Sequence, residues 1–217
     1  MYGPPDVLVV AAFHPELAPL RPHLGDDMDG RIGAALVAAR VVGIGLPLAA
    51  AGVAIHVRDL RPRAVLATGT CGAYASSGLA IGDVVVARLV RLVAPSALEG
   101  RSEFPAPMQV VCDADAPMAE SIAQATGARR ADVATTLGIT VDEAMAGHIA
   151  RATGAHVEHL EAHAMATACA ALGIPFGAVL AVANLVGANA RDEWRLHHRD
   201  AAARAAEAIV QWLRVPC

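Results

Sequence analysis

The chain has 217 residues, of which 55% are hydrophobic and 18% charged, a balance that suits one α/β domain with a sizeable buried core. Only 3% are aromatic, so that core must be built from Ala, Val and Leu. A net charge of −4 with no basic cluster argues against a nucleic-acid-binding surface; all the basic residues are Arg, a compositional bias from which no chemistry follows.

Val7–Ala12 is a continuous apolar run, the pattern of a strand covered on both faces. It lacks a basic leader and runs straight into His14-Pro15-Glu16, so it is expected to be a strand and not a secretion signal. Asp26–Gly30 reads as a turn or hairpin connection and Ala35–Val42 as a second strand, ending at Gly43-Ile44-Gly45. A helix is predicted from about Pro47 to Leu60, with Pro47 suited to its first turn. Ala64–Ala67 is a further buried strand, with Thr68–Gly72 as the turn after it, and Asp83–Val90 is another strand. Ala94–Pro107, with three prolines, reads as a long loop. Beyond it come strands near Gln109–Cys112 and Asp132–Thr136 and helices over Pro117–Ala125 and Val141–Ala150. Leu160–Leu172 is a helix closed by Gly173 and Pro175, Phe176–Leu185 a strand, and Asp192–Leu213 a long amphipathic helix. The alternation predicts a largely parallel, helix-covered sheet in a single domain spanning residues 1–217, without repeats or linkers. No apolar stretch approaches the roughly 18 residues of a membrane span, so a cytoplasmic protein is expected. The cysteines, Cys71, Cys112, Cys169 and Cys217, show no C-x-x-C pair and are read as free thiols.

Four features lie where a strand ends or a helix begins, the edge at which open α/β sheets bind ligands. Glu16 follows the first strand; helix-dipole stabilisation explains it equally well. Gly69-Thr70-Cys71-Gly72 offers close backbone approach and amide donors, or simply a tight turn. Glu161 leads the helical apolar stripe Met165, Ala168, Cys169 and Leu172; buried, it needs donors that a sugar diol can supply, and otherwise it bends out to solvent. Asn184 ends an apolar strand, where its amide can read a base edge or merely form a turn. A rival site is the run His156, His159, His163, in which the last two share a helical face at zinc-binding spacing. With no further ligand run, no metal or cofactor is expected; these histidines are read as a partly exposed junction, and His197 and His198 as surface residues.

Taken together, Glu16, the glycines Gly43 and Gly45, T-G-T-C-G at Thr68–Gly72, I-G-D-V-V-V-A at Ile81–Ala87, L-E-A at Leu160–Ala162 and P-F-x-x-V-x-x-V-x-N at Pro175–Asn184 resemble the nucleoside phosphorylase/nucleosidase superfamily. The resemblance runs in order through nearly the whole chain. It is greatest to the hydrolytic branch, which includes the methylthioadenosine/adenosylhomocysteine nucleosidases and futalosine hydrolase. It implies one α/β domain around a mixed, partly barrel-like sheet, and a homodimer or higher homo-oligomer. By the same resemblance, Glu16 matches the carboxylate that activates the attacking water and Glu161 the one that holds the ribose hydroxyls. Asn184 falls at the base-recognition position, and Thr70, Cys71, Gly72 and Leu160 line the base and sugar pocket.

Two departures narrow the expectation. The adenine-cleaving nucleosidases carry an aspartate acid where Asn184 stands, and an amide cannot give up a proton. This favours a 6-oxopurine, as does similarity to futalosine hydrolase in Asn184, Val186-Gly187 and Trp194; Leu160 replaces a usual methionine. The hexameric phosphorylases place a phosphate-binding arginine where Ala67 stands; Arg88 and Arg91 on the next strand are weak substitutes. The expectation is therefore a purine-nucleoside hydrolase of futalosine hydrolase type. The alternatives are a methylthioadenosine/adenosylhomocysteine nucleosidase, a phosphorylase, or a non-catalytic nucleoside-binding protein of the same fold.

Overall fold

The computed structural model describes residues 3–215, so Cys217 lies outside the described residues. Strand β1 (Val7–Ala11) is buried at all five positions, as its uninterrupted apolar run requires. It pairs in parallel with β3 (Ala35–Val41) on one side and β4 (Ala64–Ala73) on the other. The short strand β2 (Asp29–Ile32) forms an antiparallel hairpin with β3. Between β1 and β2 the chain makes the one-turn helices α1 (His14–Leu17) and α2 (Arg21–Leu24). Helix α3 (Leu46–Leu60) starts after Gly45, whose φ of 87° only glycine adopts readily, and carries Pro47 in its first turn.

The sheet then closes on itself. β4 pairs with β9 (Phe176–Leu185), β9 with β5 (Val84–Leu92), β5 with β7 (Arg129–Thr135), β7 with β8 (Val157–Glu158), and β8 returns to β4. β6 (Val111–Asp113) lies antiparallel on β5. The result is a five-strand barrel extended by β1, β3 and β2. It is mixed, as the resemblance implies: the long β4–β9 and β5–β7 ladders are parallel, while the shorter β5–β9 and β4–β8 pairings are antiparallel. The last of these depends on a two-residue strand too short to leave a periodic signal.

Alternation along β9 separates two cores. Ala178, Leu180 and Val182 join the layer beneath α3 and α7 (Ala162–Leu172), whereas Val179, Ala181 and Ala183 face the layer beneath α8 (Ala190–Arg214). Both are Ala–Val–Leu cores, as the scarcity of aromatics demands. The remaining helices cap in ordinary ways. Asp115 and Asp142 accept the N–H of Met118 and Met145, the third residues of α5 (Ala116–Thr126) and α6 (Glu143–Thr153), and Gly127 and Gly154 close them. The Ala94–Pro107 segment is not loop throughout, since Pro95–Leu98 forms a helical turn, α4. Cys71, Cys112 and Cys169 are free and buried. Among the described residues, no helix is long and apolar enough to cross a membrane.

Candidate functional site

Strands β1, β3, β4 and β9 run parallel, so their carboxyl ends emerge on one edge. There a cavity of about 280 Å³ is lined by Glu16, Thr70, Cys71, Gly72, Leu160, Glu161 and Asn184, which is every residue expected from the sequence. Its apolar wall includes Phe13, Ile44, Ile139 and Trp194. A larger cavity of about 490 Å³, between Tyr74, α6 and the start of α8, contains none of those residues.

Thr68–Gly72 proves to be strand, not turn, and its glycines create space for side chains arriving from elsewhere. Gly69 has φ +150°, and a Cβ there would lie 2.6 Å from Glu16 Oε1. The carboxylate therefore rests directly on the β4 backbone, where Oε1 accepts from the Thr70 N–H at 2.9 Å and the Thr70 hydroxyl at 3.1 Å. The indole of Trp194 donates to the same hydroxyl at 3.0 Å. Because an indole N–H only donates, the Thr70 proton is left to point at Glu16. Oε2 of Glu16 is buried without a partner. Burial is the main reason the Glu16 pKa is pushed up from 4.5 to about 7; the Thr70 hydrogen bonds oppose it and the charge of Glu161 adds to it. Gly69→Ala is expected to lower stability by about 1–3 kcal/mol, through both the backbone conformation and the collision with Glu16. A chemical-denaturation midpoint equal to that of the parent protein would show that this close approach is not needed.

A second glycine receives Asn184. The β4–β9 register pairs Cys71 with Val182 and Gly72 with Asn184, skipping Ala183. This bulge sets Asn184 opposite a residue with no side chain, and a Cβ on Gly72 would come within 2.8 Å of its Nδ2. Nδ2 donates to Leu185 O at 2.9 Å, which leaves Oδ1 and the second N–H for a ligand.

Glu161 occupies the N-cap position of α7 without a side-chain bond to the helix and is 4% exposed; of the stripe it leads, Met165 and Cys169 are buried but Leu172 is 45% exposed. Glu161 Oε1 accepts the Gly45 N–H at 2.9 Å, joining residues 116 positions apart and tying the second glycine after β3 to the site. The other carboxylate on this wall, Glu158, is committed to structure: it accepts from Thr140 N–H, the Thr140 hydroxyl and the Tyr74 hydroxyl.

Of the three histidines only His156 is partly exposed; His159 and His163 are buried, each 5% exposed. His163 bonds Gln109 O through Nε2, and among the described residues no three His, Cys, Asp or Glu side chains converge as metal ligands. His198 is not a free surface residue either; its ring stacks on Trp194 with centroids 4.4 Å apart, and Trp194 in turn meets Phe13 at 6.1 Å. Arg88 is held by Asp132 at 2.8 Å, and neither it nor Arg91 lines the cavity. Ala67 is fully buried. Burial pushes the Cys71 thiol pKa far up, so it contributes a wall and not a nucleophile.

A family model described as the phosphorylase superfamily matches residues 10–214. Among curated proteins, none matches the sequence. The chain is similar in structure to the Streptococcus pyogenes S-adenosylhomocysteine nucleosidase solved with 5-methylthiotubericidin. The two are 26% identical with a TM-score of 0.87, and the alignment covers 100% of this chain and 99% of that one. The Neisseria meningitidis 5′-methylthioadenosine/S-adenosylhomocysteine nucleosidase shares the fold at 21% identity and TM-score 0.85, covering 96% and 98%. So does Helicobacter pylori futalosine hydrolase, at 14% identity and TM-score 0.84, covering 95% and 96%.

Proposed function

The chain belongs to the phosphorylase superfamily, and from that premise we propose that it is a nucleosidase that hydrolyses the N-glycosidic bond of a purine nucleoside, with a preference for a 6-oxopurine. The observation that carries the choice of water over phosphate is the charge of the cavity. Glu16, Glu158 and Glu161 line it, no arginine does, and the chain has no lysine. A phosphate dianion entering there would lose its hydration without gaining a charge-assisted donor, and would face carboxylates as well. A cation developing on the sugar meets the opposite situation, because glycoside cleavage passes through an oxocarbenium-like state that nearby carboxylates stabilise.

In this reading the Glu16 carboxylate accepts a proton from the attacking water, while Thr70 and Trp194 keep it in place. Glu161 holds the ribose hydroxyls through Oε2, since Oε1 is occupied by Gly45. Asn184 meets the departing base, and its free N–H offsets the negative charge that builds there. Leu160, Thr70, Cys71 and Gly72 shape the base and sugar pocket. The active form is a homodimer or higher homo-oligomer.

A methylthioadenosine/adenosylhomocysteine nucleosidase is the second reading, favoured by the 26% identity to the streptococcal enzyme. One experiment addresses both: inosine, adenosine and their 5′-substituted forms are incubated with and without phosphate, and the products are resolved. Free base with free sugar, at a rate indifferent to phosphate, is expected. Sugar 1-phosphate formed only when phosphate is present would overturn hydrolysis.

A further inference from the structure

Beside Glu161 stands a side chain that the proposed mechanism leaves unused. The imidazole of His159 lines the cavity although it is 5% exposed. Its Nδ1 accepts two backbone donors, the N–H groups of Glu161 and Ala162, each at 3.1 Å. A nitrogen that accepts twice carries no proton, so the ring proton resides on Nε2. The 3.6 Å separation between Nδ1 and Glu161 Oε2 is therefore a proximity and not an ion pair. Burial acts in the same direction, lowering the pKa of His159 and keeping the ring neutral against the opposing pull of Glu161.

Nε2–H has no hydrogen-bond partner among the described residues, yet it is not among the buried polar atoms sealed off without one. The same holds for Oε2 of Glu161. One open donor and one open acceptor thus belong to neighbouring residues that line the same cavity. A hydroxyl group matches that pair: its proton goes to the carboxylate, and its oxygen lone pair accepts from the imidazole. A carboxylate alone would leave the hydroxyl oxygen without a donor inside a largely apolar cavity, which is costly.

The geometry points to His159 as a substrate-binding residue that donates from Nε2–H to a sugar hydroxyl held by Glu161, making the enzyme selective for ribosides over the corresponding deoxyribosides. This rests on the nucleoside-hydrolase reading. It also explains why the two residues stand two apart at the mouth of α7: the backbone N–H groups that begin the helix fix the tautomer that faces the ligand.

Two substitutions separate binding from structure. His159→Gln keeps a distal amide donor but withdraws the acceptor from the two backbone N–H groups. His159→Asn keeps a nearby acceptor for them but removes the distal donor. Each is assayed by kcat/KM and by equilibrium binding against inosine, 2′-deoxyinosine and 3′-deoxyinosine. For His159→Asn, a loss of roughly tenfold on inosine is expected, disappearing with whichever deoxynucleoside lacks the contacted hydroxyl. His159→Gln should keep more of the ribose preference even if it is the less stable protein. Equal losses on all three substrates, or a ribose preference kept by His159→Asn and lost by His159→Gln, would overturn the assignment while leaving the hydrolase reading intact. Failure of the wild-type protein to bind or cleave any of the three would sink both together.

Discussion

Glu16→Gln is expected to lower base release by roughly 10²–10⁴-fold, the range for loss of a general base, while making the protein more stable above neutral pH. Both effects follow from the same burial. The wild-type carboxyl has an ordinary pKa of 4.5 and a folded-state pKa of about 7. Below 4.5 it is protonated whether the chain is folded or not, and the residue contributes nothing to the pH dependence. Between the two values the folded chain holds a proton that the unfolded chain has released, so stability falls as pH rises. Above about 7 the carboxylate is charged in both states and the full penalty remains, about 3 kcal/mol at 1.36 kcal/mol per unit. Gln carries no such penalty and still accepts from Thr70. Its advantage over wild type should therefore be absent near pH 4, grow through pH 5–7 and level off near pH 8 at up to about 3 kcal/mol. Denaturant titrations at those three pH values read it directly. Wild-type kcat/KM should climb through about pH 7 on its acid limb, because only the ionised form can take a proton from water. A variant as active as wild type would remove Glu16 from catalysis, whatever its stability.

This coupling of a destabilised group to a chemical role is the pattern that a sequence conveals least well. β1 and α8 are legible because their signals are local and repetitive: an unbroken apolar run in one, helical spacing of Ala201, Ala205 and Ile209 in the other. Glu16 and Asn184 are legible as polar residues that follow or end apolar strands and Glu161 as one that leads an apolar helix, a contrast that survives without coordinates. The contacts that give them meaning are not. Nothing local ties Gly45 to Glu161, and Gly69-Thr70-Cys71-Gly72 reads as a turn because glycine in isolation signals one. In the folded chain β4 continues through it, and the glycines serve instead to admit Glu16 and Asn184. β8 is missed because two residues have no period, although without it the barrel does not close and Glu158–Glu161 would not return beside Gly72. His159 is noticed only as a possible zinc ligand. The signal that it acts singly is the pair of backbone donors on Nδ1, and these exist only once α7 has begun.

Asn184→Asp is expected to shift the base preference toward adenine by about 1–3 kcal/mol, the scale of one buried hydrogen bond deciding between substrates. In the wild-type chain Nδ2 donates to Leu185 O, so the amide is oriented before any base arrives. It can offer its remaining N–H to a ring nitrogen or a 6-oxo group, but it has no proton to give up. A hypoxanthine anion is a comparatively good leaving group once so bonded; adenine departs more readily when its ring is protonated. An ionised Asp at this position would set a carboxylate oxygen against the Leu185 carbonyl that the amide now satisfies. Both that repulsion and the 8% exposure of the site favour the protonated acid, which is the form able to protonate a departing adenine. The comparison requires inosine and adenosine, which differ only at the purine 6 position, with kcat/KM measured for each on both proteins. The wild type should favour inosine, and the ratio should fall by roughly 5–150-fold in Asn184→Asp. A wild type that prefers adenosine, together with a ratio unmoved by the substitution, would mean that the base is read by another part of the cavity and that the 6-oxopurine assignment is wrong.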